Sequence, residues 1–190
     1  MAKKKVLCIM GKSGVGKSSL ISKICNDKCF HYIKSKTTRK IRDYDPNDKD
    51  THTFTNSKEF FDDIVNSRVL ATYYSPTDGY VNWTSDDLIL DNKINVLAID
   101  PIAFVDIVNR YNDRYDLYGI YLDLNEDIRR KRLFKRGDII KDESCLDSSW
   151  IKKSSIPDYY YSIIDNNKNI DEQTNFVLNV ILNNSGWGNV

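Results

Sequence analysis

The sequence predicts an α/β fold in three layers, a parallel sheet between helices, on the strength of three observations. Val6-Leu-Cys-Ile-Met10 and Ile94-Asn-Val-Leu-Ala-Ile99 are short, nearly continuous apolar runs, the pattern of strands buried on both faces. Segments with helical apolar spacing follow both runs. A Gly-rich turn, Gly11 to Gly16, joins the first run to its helix, which is how a βαβ unit begins.

The remaining elements follow in order. Lys17 to Asn26 reads as a helix with Leu20, Ile21 and Ile24 on one face. Residues 34–57 are polar, charged and turn-rich. Ser57 opens a capped helix to about Asn66, with Phe60, Phe61, Ile64 and Val65 at helical spacing. Residues 68–84, rich in Tyr, Thr and Val around Pro76 and Asp78-Gly79, read as a hairpin or small sheet. Ser85-Asp-Asp-Leu is expected to open a further helix. Beyond the strand that ends at Asp100, a helix runs through Arg110. Leu117 to Leu124 reads as a third strand, and Asn125 to Gly137 as a basic helix ended by its glycine. Residues 138–156 have weak periodicity, Tyr159 to Ile164 reads as a fourth strand and Asp171 to Leu182 as a last helix. The tail to Val190 reads as loose.

The 190 residues suit one domain, with its core in 1–33, 85–135 and 157–184. The stretches 34–84 and 136–156 lack core patterning. They are expected over the carboxyl ends of the strands, where open parallel sheets bind ligands. Hydrophobic residues make up 41% and charged residues 29%, ordinary values for a soluble globular chain. A formal charge of +1 gives no global field for nucleic acid or an anionic membrane, so an anion must be held by a built local site. Without a basic stripe, the twelve tyrosines and three tryptophans read as core or cleft residues. The four cysteines form no C-x-x-C pair, which points away from a metal cluster and towards a reducing compartment. Lys3 to Lys5 precede an apolar run too short for a signal peptide or a membrane span, so a cytoplasmic location is expected.

Gly11-Lys12-Ser13-Gly14-Val15-Gly16-Lys17-Ser18 matches G-x-x-x-x-G-K-[ST] at every fixed position, between a strand and a helix. Glycines let successive backbone N–H groups turn inward around phosphates, and the helix start adds its positive dipole end. Lys17 supplies a cation for the β- and γ-phosphates, Ser18 a hydroxyl for Mg²⁺, and Ser19 continues the site. The expected fold is therefore that of a P-loop NTPase, with ATP and Mg²⁺ as cofactors. GTPases, ATPases and kinases all carry this loop; no N-K-x-D motif of the GTPase type occurs downstream.

Ser35-Lys-Thr-Thr-Arg39-Lys-Ile-Arg42, an acidic turn, then His52-Thr-Phe54, resembles the S-x-T-T-R-x-x-R and Y-x-F elements of guanylate kinases. The order continues through the strand ending in Asp100 and Arg132-Leu-Phe-Lys-Arg136-Gly137. The resemblance implies an ATP-dependent nucleoside monophosphate kinase, most simply for GMP or dGMP. Residues 34–84 would be its monophosphate-binding insert and 136–156 its lid. Ser35, Arg39, Arg42, His52, Thr72, Asn82, Thr84 and Asp100 would hold the monophosphate. Lys17, Asp100, Arg132 and Arg136 would be catalytic, and Asn166 would face the adenine. Physical chemistry agrees on the arginines: a doubly charged phosphate wants guanidinium forks, and Arg132 and Arg136, four apart, share one helix side. A strand-end aspartate such as Asp100 can also simply cap the next helix, but it is the only carboxylate at that strand's carboxyl end and is kept as a site residue.

The sequence departs from the family at several points. His52 replaces a phosphate-binding tyrosine and brings a titratable group. The guanine-reading glutamate falls near Thr72, and Asn82-Trp-Thr84 replaces Y-G-[ST]. Asp78, Asp86 or a backbone carbonyl would have to take over. Lys152 and Lys153 stand where a second lid arginine pair belongs, without its bidentate fork. Another deoxynucleoside monophosphate as acceptor, or a binding module without catalysis, are the alternative readings. The expected partners are small nucleotides only, and the chain a monomer or homodimer.

Overall fold

The computed structural model describes residues 3–45, 48–75, 78–138, 146–165 and 167–184. Five parallel strands form the central sheet: β1 (Lys4–Met10), β2 (Phe30–Ile33), β7 (Ile94–Ile99), β8 (Tyr115–Asp123) and β9 (Tyr161–Asp165), in the order β2-β7-β1-β8-β9. The other strands are β3 (Ser35–Thr37), β4 (His52–Phe54), β5 (Val69–Tyr74) and β6 (Val81–Ser85). The helices are α1 (Lys17–Ile24), α2 (Asp48–Thr51), α3 (Ser57–Val65), α4 (Pro101–Tyr111), α5 (Glu126–Arg136), α6 (Ser148–Lys153) and α7 (Ile170–Asn184). This is the expected α/β architecture of a P-loop NTPase.

The side-chain alternation of β1 divides the core. Val6, Cys8 and Met10 pack with Phe104 and Ile107 of α4 on one face, whereas Leu7 and Ile9 pack with Leu20 and Ile24 of α1 and Val177 of α7 on the other. All of these side chains are buried, so hydrophobic transfer from both faces stabilises β1 and fixes its register. Pairing of Met10 with Ile99 of β7 and Tyr121 of β8 brings three strand ends to one edge.

The chain departs from expectation in three places. Phe30–Ile33 forms the edge strand β2, which mixed burial had hidden: only Phe30 and Ile33 are buried. The helix expected from Ser85 is a single 3₁₀ turn at Asp86–Leu88. The buried Asn95 amide claims both the N–H and the C=O of Leu90 (2.9 Å each), so the chain must bend instead of continuing as a helix. Finally, the polar stretch after Lys34 carries β3, α2 and β4.

β3 and β4 join β5 and β6 in a second sheet, ordered β4-β3-β6-β5. Its outer face is fastened to α3 by one carboxylate. Asp63 Oδ2 accepts from Lys36 Nζ (2.9 Å), Trp83 Nε1 (2.8 Å) and Ser85 Oγ (2.5 Å), and Oδ1 lies 2.9 Å from an Arg68 guanidinium nitrogen. Burial opposes ionisation of Asp63, but Ser85, Lys36 and Trp83 outweigh it and hold its pKa down to about 2. Phe60 packs against Trp83 with ring centroids 5.0 Å apart. Removing this carboxylate leaves the Lys36 ammonium with Glu59 (2.9 Å) alone and deprives the buried Trp83 indole N–H and Ser85 hydroxyl of their acceptor. Asp63→Ala should therefore lower the unfolding free energy by about 3–5 kcal/mol in urea titrations; an unchanged midpoint would show that α3 is held by packing alone.

Candidate functional site

The turn after β1 is built from backbone that side chains would obstruct. Gly11 has φ +140°, and a Cβ there would meet the Leu122 carbonyl oxygen and Val15 Cγ2 at 2.9 Å. Gly14 has φ +81°, and its Cβ would meet Leu133 of α5 at 2.9 Å. Gly16, also left-handed, caps α1. Lys17 Nζ donates back to the carbonyls of Gly11 (2.7 Å) and Lys12 (3.0 Å), which poises the ammonium over the loop.

Helix α5 is seated on this loop by arginines. Arg129, 2% exposed, donates to Glu126 (2.9 and 2.7 Å) and to the Ser13 carbonyl (3.1 Å). The Arg129 hydrogen bond, with help from Arg130, brings the Glu126 pKa down to about 2 against a burial effect of opposite sign. Arg132 donates to the Val15 carbonyl at 3.2 Å and Arg136 to Ser13 Oγ at 3.4 Å. Positions 129, 132 and 136 share one helix face, so the face that grips the loop also carries the two expected catalytic arginines. Arg129 went unrecognised because a basic helix ordinarily reads as solvated; its spacing from Glu126 was the available signal.

The insert supplies the opposite wall. Arg39 lies in a two-pronged grip from Asp48 (NH2–Oδ1 2.6 Å, NH1–Oδ2 3.0 Å) with its guanidinium 5.4 Å from the Phe54 ring centroid. Asp48 also accepts from the Arg42 backbone N–H (2.8 Å). Burial pulls the Asp48 pKa up, but Arg39 and Arg42 outweigh it and the net shift is downward. Sequence reading missed Asp48; its place four residues before His52 was the only hint. Asp138 joins the two walls. It accepts from Tyr44 Oη (3.2 Å) and from Arg136 Nε (2.5 Å), and lies 3.9 Å from Arg42.

Between these walls lies a cleft of about 1320 Å³, roomy for a ligand of nucleotide size. Gly11, Ser13, Gly14, Gly16, Lys17, Ser18 and Ser19 border it on one side; Ser35, Arg39, Arg42 and His52 on the other; Arg132 and Arg136 above. Asn82, Thr84 and Asp100 also border it. Lys12 turns towards Glu126 (3.8 Å) and Val15 into the core, so only their backbone can serve the loop. Asn166, expected on the adenine side, falls outside the described residues; Lys168, Asn169 and Ile170 border the cleft there.

Two expected residues behave otherwise than foreseen, and a third fills both of its expected places. Thr72 borders the cleft but pairs with Trp83, and directly opposed residues share a sheet face. Its side chain therefore takes the face that Trp83 presents to Asp63, and Ala71, opposite Thr84, takes the cleft face. Asp100 caps α4, accepting from the Ala103 N–H at 2.8 Å, so the cap reading holds alongside its place at the cleft. Burial raises its pKa, with Lys17 acting the other way. His52 bonds Thr51 Oγ1 through Nδ1 (2.8 Å), and burial, reinforced by Arg39, pushes its pKa from 6.5 down to about 4. It is neutral at pH 7 and brings no titration near neutrality.

The donor set fits a hard divalent cation such as Mg²⁺ that keeps most of its water. Ser18 opens α1, and the Asp100 carboxylate stands at the end of the adjacent β7, close enough to sense the charge of Lys17. Among the described residues no cluster of three His, Cys, Asp or Glu offers a dedicated protein cage.

The sequence matches the family of the 50S ribosome-binding GTPase over residues 6–185. No curated protein matches it. The fold is similar to the crystal structure of a guanylate kinase from Anaplasma phagocytophilum, at 18% identity and a TM-score of 0.65 over 97% of this chain and 89% of that one. It is similar also to a gluconokinase from Sinorhizobium meliloti 1021, at 12% identity and a TM-score of 0.52 over 98% and 96%. At these identities the likeness is one of fold.

His52 yields a pH prediction. An unfolded chain takes up the imidazole proton near 6.5, whereas the folded one waits until about 4. Stability from this group is complete above pH 6.5 and is lost as pH falls towards 4. Urea midpoints should drop between pH 6.5 and 5, above the range where carboxylates contribute. His52→Gln should flatten that drop.

Proposed function

The chain belongs to the 50S ribosome-binding GTPase family, a P-loop nucleotide-binding domain, and from that premise we propose that it is an ATP-dependent phosphotransferase acting on a nucleoside monophosphate. The observation that carries the proposal is the cleft with two anion grips. The glycine loop and Lys17 form one, Arg39 and Arg42 form the other, and Arg132 and Arg136 stand between them. A nucleotide hydrolase needs only the first grip. The second is what an anionic acceptor requires. That the two proteins of similar fold are a guanylate kinase and a gluconokinase supports the same class of chemistry.

In this reading the loop amides and Lys17 hold the donor triphosphate, while Ser35, Arg39, Arg42 and the neutral His52 hold the acceptor phosphate. Ser18 and Asp100 would hold Mg²⁺, which when bound neutralises charge on the donor phosphates. An acceptor oxygen attacks the γ-phosphorus, the bond to the β-phosphate oxygen breaks, and ADP leaves with that electron pair. The acceptor oxygen is already ionised, so no general base is needed. Arg132 and Arg136 stabilise the charge that spreads over the migrating group and exclude water around it. Asp48 acts through Arg39 as a positioning residue. Of the expected guanine contacts, Thr84 alone is buried against the cleft with its hydroxyl.

GTP hydrolysis is the second reading, favoured by the family match itself. Against it, the chain after β8 reads Leu124-Asn-Glu-Asp127, without N-K-x-D. Purified protein supplied with ATP or GTP, with and without monophosphates, decides between them. We expect ADP only when a monophosphate is present; equal GTP turnover without an acceptor would reverse the order.

Lys17→Ala should reduce phosphotransfer at least about a hundredfold, the loss typical of a removed charge-stabilising donor, with melting unchanged. Arg39→Lys, which keeps charge but loses the fork, should raise the KM for monophosphate roughly tenfold or more and leave the KM for ATP alone. Calorimetry that detected no ATP binding would turn the reading towards a binding module.

A further inference from the structure

We infer that Arg129 is a positioning residue for the donor polyphosphate: by holding the Ser13 carbonyl on α5, it turns the Gly14 N–H into the hollow of the glycine loop. The inference depends on the loop alone. It stands whether a bound nucleotide is hydrolysed or gives its phosphate to an acceptor.

Glycine gives the loop room but leaves its peptide planes loosely determined. Gly14 (φ +81°) and Gly16 (φ +108°) sit in left-handed backbone. The same freedom lets the Ser13–Gly14 and Val15–Gly16 peptides rotate at little cost. Such a loop holds an anion only when its successive N–H groups converge on it, so something outside the loop must fix them. In a planar trans peptide the N–H points opposite to the C=O. Whatever takes the carbonyl therefore decides where the next N–H points.

Helix α5 takes both carbonyls. Arg129 Nη1 donates to that of Ser13 at 3.1 Å, and Arg132 Nη1 to that of Val15 at 3.2 Å. The carbonyls thus turn towards α5, and the N–H groups of Gly14 and Gly16 turn away from it, into the loop. Lys17 holds the carbonyls of Gly11 (2.7 Å) and Lys12 (3.0 Å) with the same ammonium that a phosphate would draw off. Arg129 has no such second duty. It borders the cleft, but its side chain is only 3% exposed, so it offers a ligand almost no surface and acts through the backbone it holds. Glu126 accepts from its Nε (2.9 Å) and Nη2 (2.7 Å). That fork orders the guanidinium before any ligand arrives. Arg132 belongs to the proposed transfer, so Arg129 is the clamp whose loss reads cleanly.

The test is calorimetry of the full chain with Mg²⁺ and ATP, GTP, inorganic tripolyphosphate, AMP or GMP, for the wild type, Arg129→Leu and Arg129→Lys. Arg129→Leu should weaken every polyphosphate that the wild type binds by about tenfold, the scale of one lost hydrogen bond from a charged donor. A bound monophosphate, held by Arg39 and Arg42, should be unaffected. Arg129→Lys keeps a charged donor for the Ser13 carbonyl and should recover most of the loss. Unchanged polyphosphate affinity in a normally melting Arg129→Leu protein overturns the inference. So does an equal loss for a monophosphate, a lysine variant no better than the leucine one, or a wild type that binds no polyphosphate. Should Arg129→Leu not fold, Glu126→Gln, at a position 43% exposed, decides: a loss confined to polyphosphates supports the inference, and any other pattern overturns it. A selective loss of polyphosphate binding in a protein that phosphorylates no monophosphate supports the inference and sinks only the phosphotransferase reading.

Discussion

The site depends on a close approach of backbone to backbone. The turn after β1 passes so near the Leu122 carbonyl and Leu133 that positions 11 and 14 have no room for a side chain. That constraint lets the chain curl round an anion, and it also lets α5 settle on the loop. Once Leu133 is against Gly14, Arg129 reaches the Ser13 carbonyl, and Arg132 and Arg136 follow on the same face. Loop shape, helix seat and the placing of positive charge at the cleft are thus one packing event. A methyl group at position 14 would disturb all three.

The second theme is local charge in a chain that is nearly neutral overall. Three arginines near the cleft already have or approach a carboxylate: Arg39 has Asp48, Arg136 has Asp138, and Arg42 approaches Asp138. These pairs hold the forks in place at low entropic cost, since the side chains are ordered before a ligand arrives. They also set a competition. A phosphate that enters must share or displace the carboxylates, so a doubly charged phosphate competes better than a singly charged one. Burial keeps His52 neutral among them, and it contributes a hydrogen bond without adding positive charge.

The two sheets divide the labour. The parallel sheet is apolar on both faces and presents its strand ends to the cleft, the usual place for ligands in such folds. The antiparallel part of the second sheet has one face closed by α3 and Asp63 and leaves the other to the cleft. Register within β5 and β6 therefore decides chemistry. A shift of one residue would exchange Asn82 and Thr84 for Trp83 and would turn Ala71 away in favour of Thr72.

Much of this was readable along the chain. Apolar runs located β1 and β7, and the spacing of glycines, lysine and serine determined the donor loop, because those signals lie within a few consecutive residues and follow from backbone sterics. The arginines at 39, 42, 132 and 136 were singled out by resemblance rather than by local sterics, and all four border the cleft. What the tertiary structure alone decided is which groups meet across long separations. Asp48 as the partner of Arg39, Asp138 as the link between walls and Arg129 as the anchor of the loop depend on how distant segments pack, and β2 became a strand only because β7 lay beside it. The place of the glutamate was assigned to Thr72 by counting along the chain, whereas strand pairing gave the cleft face to Ala71. A strand's alternation is visible in sequence, but which face meets the ligand is fixed by what packs against the other.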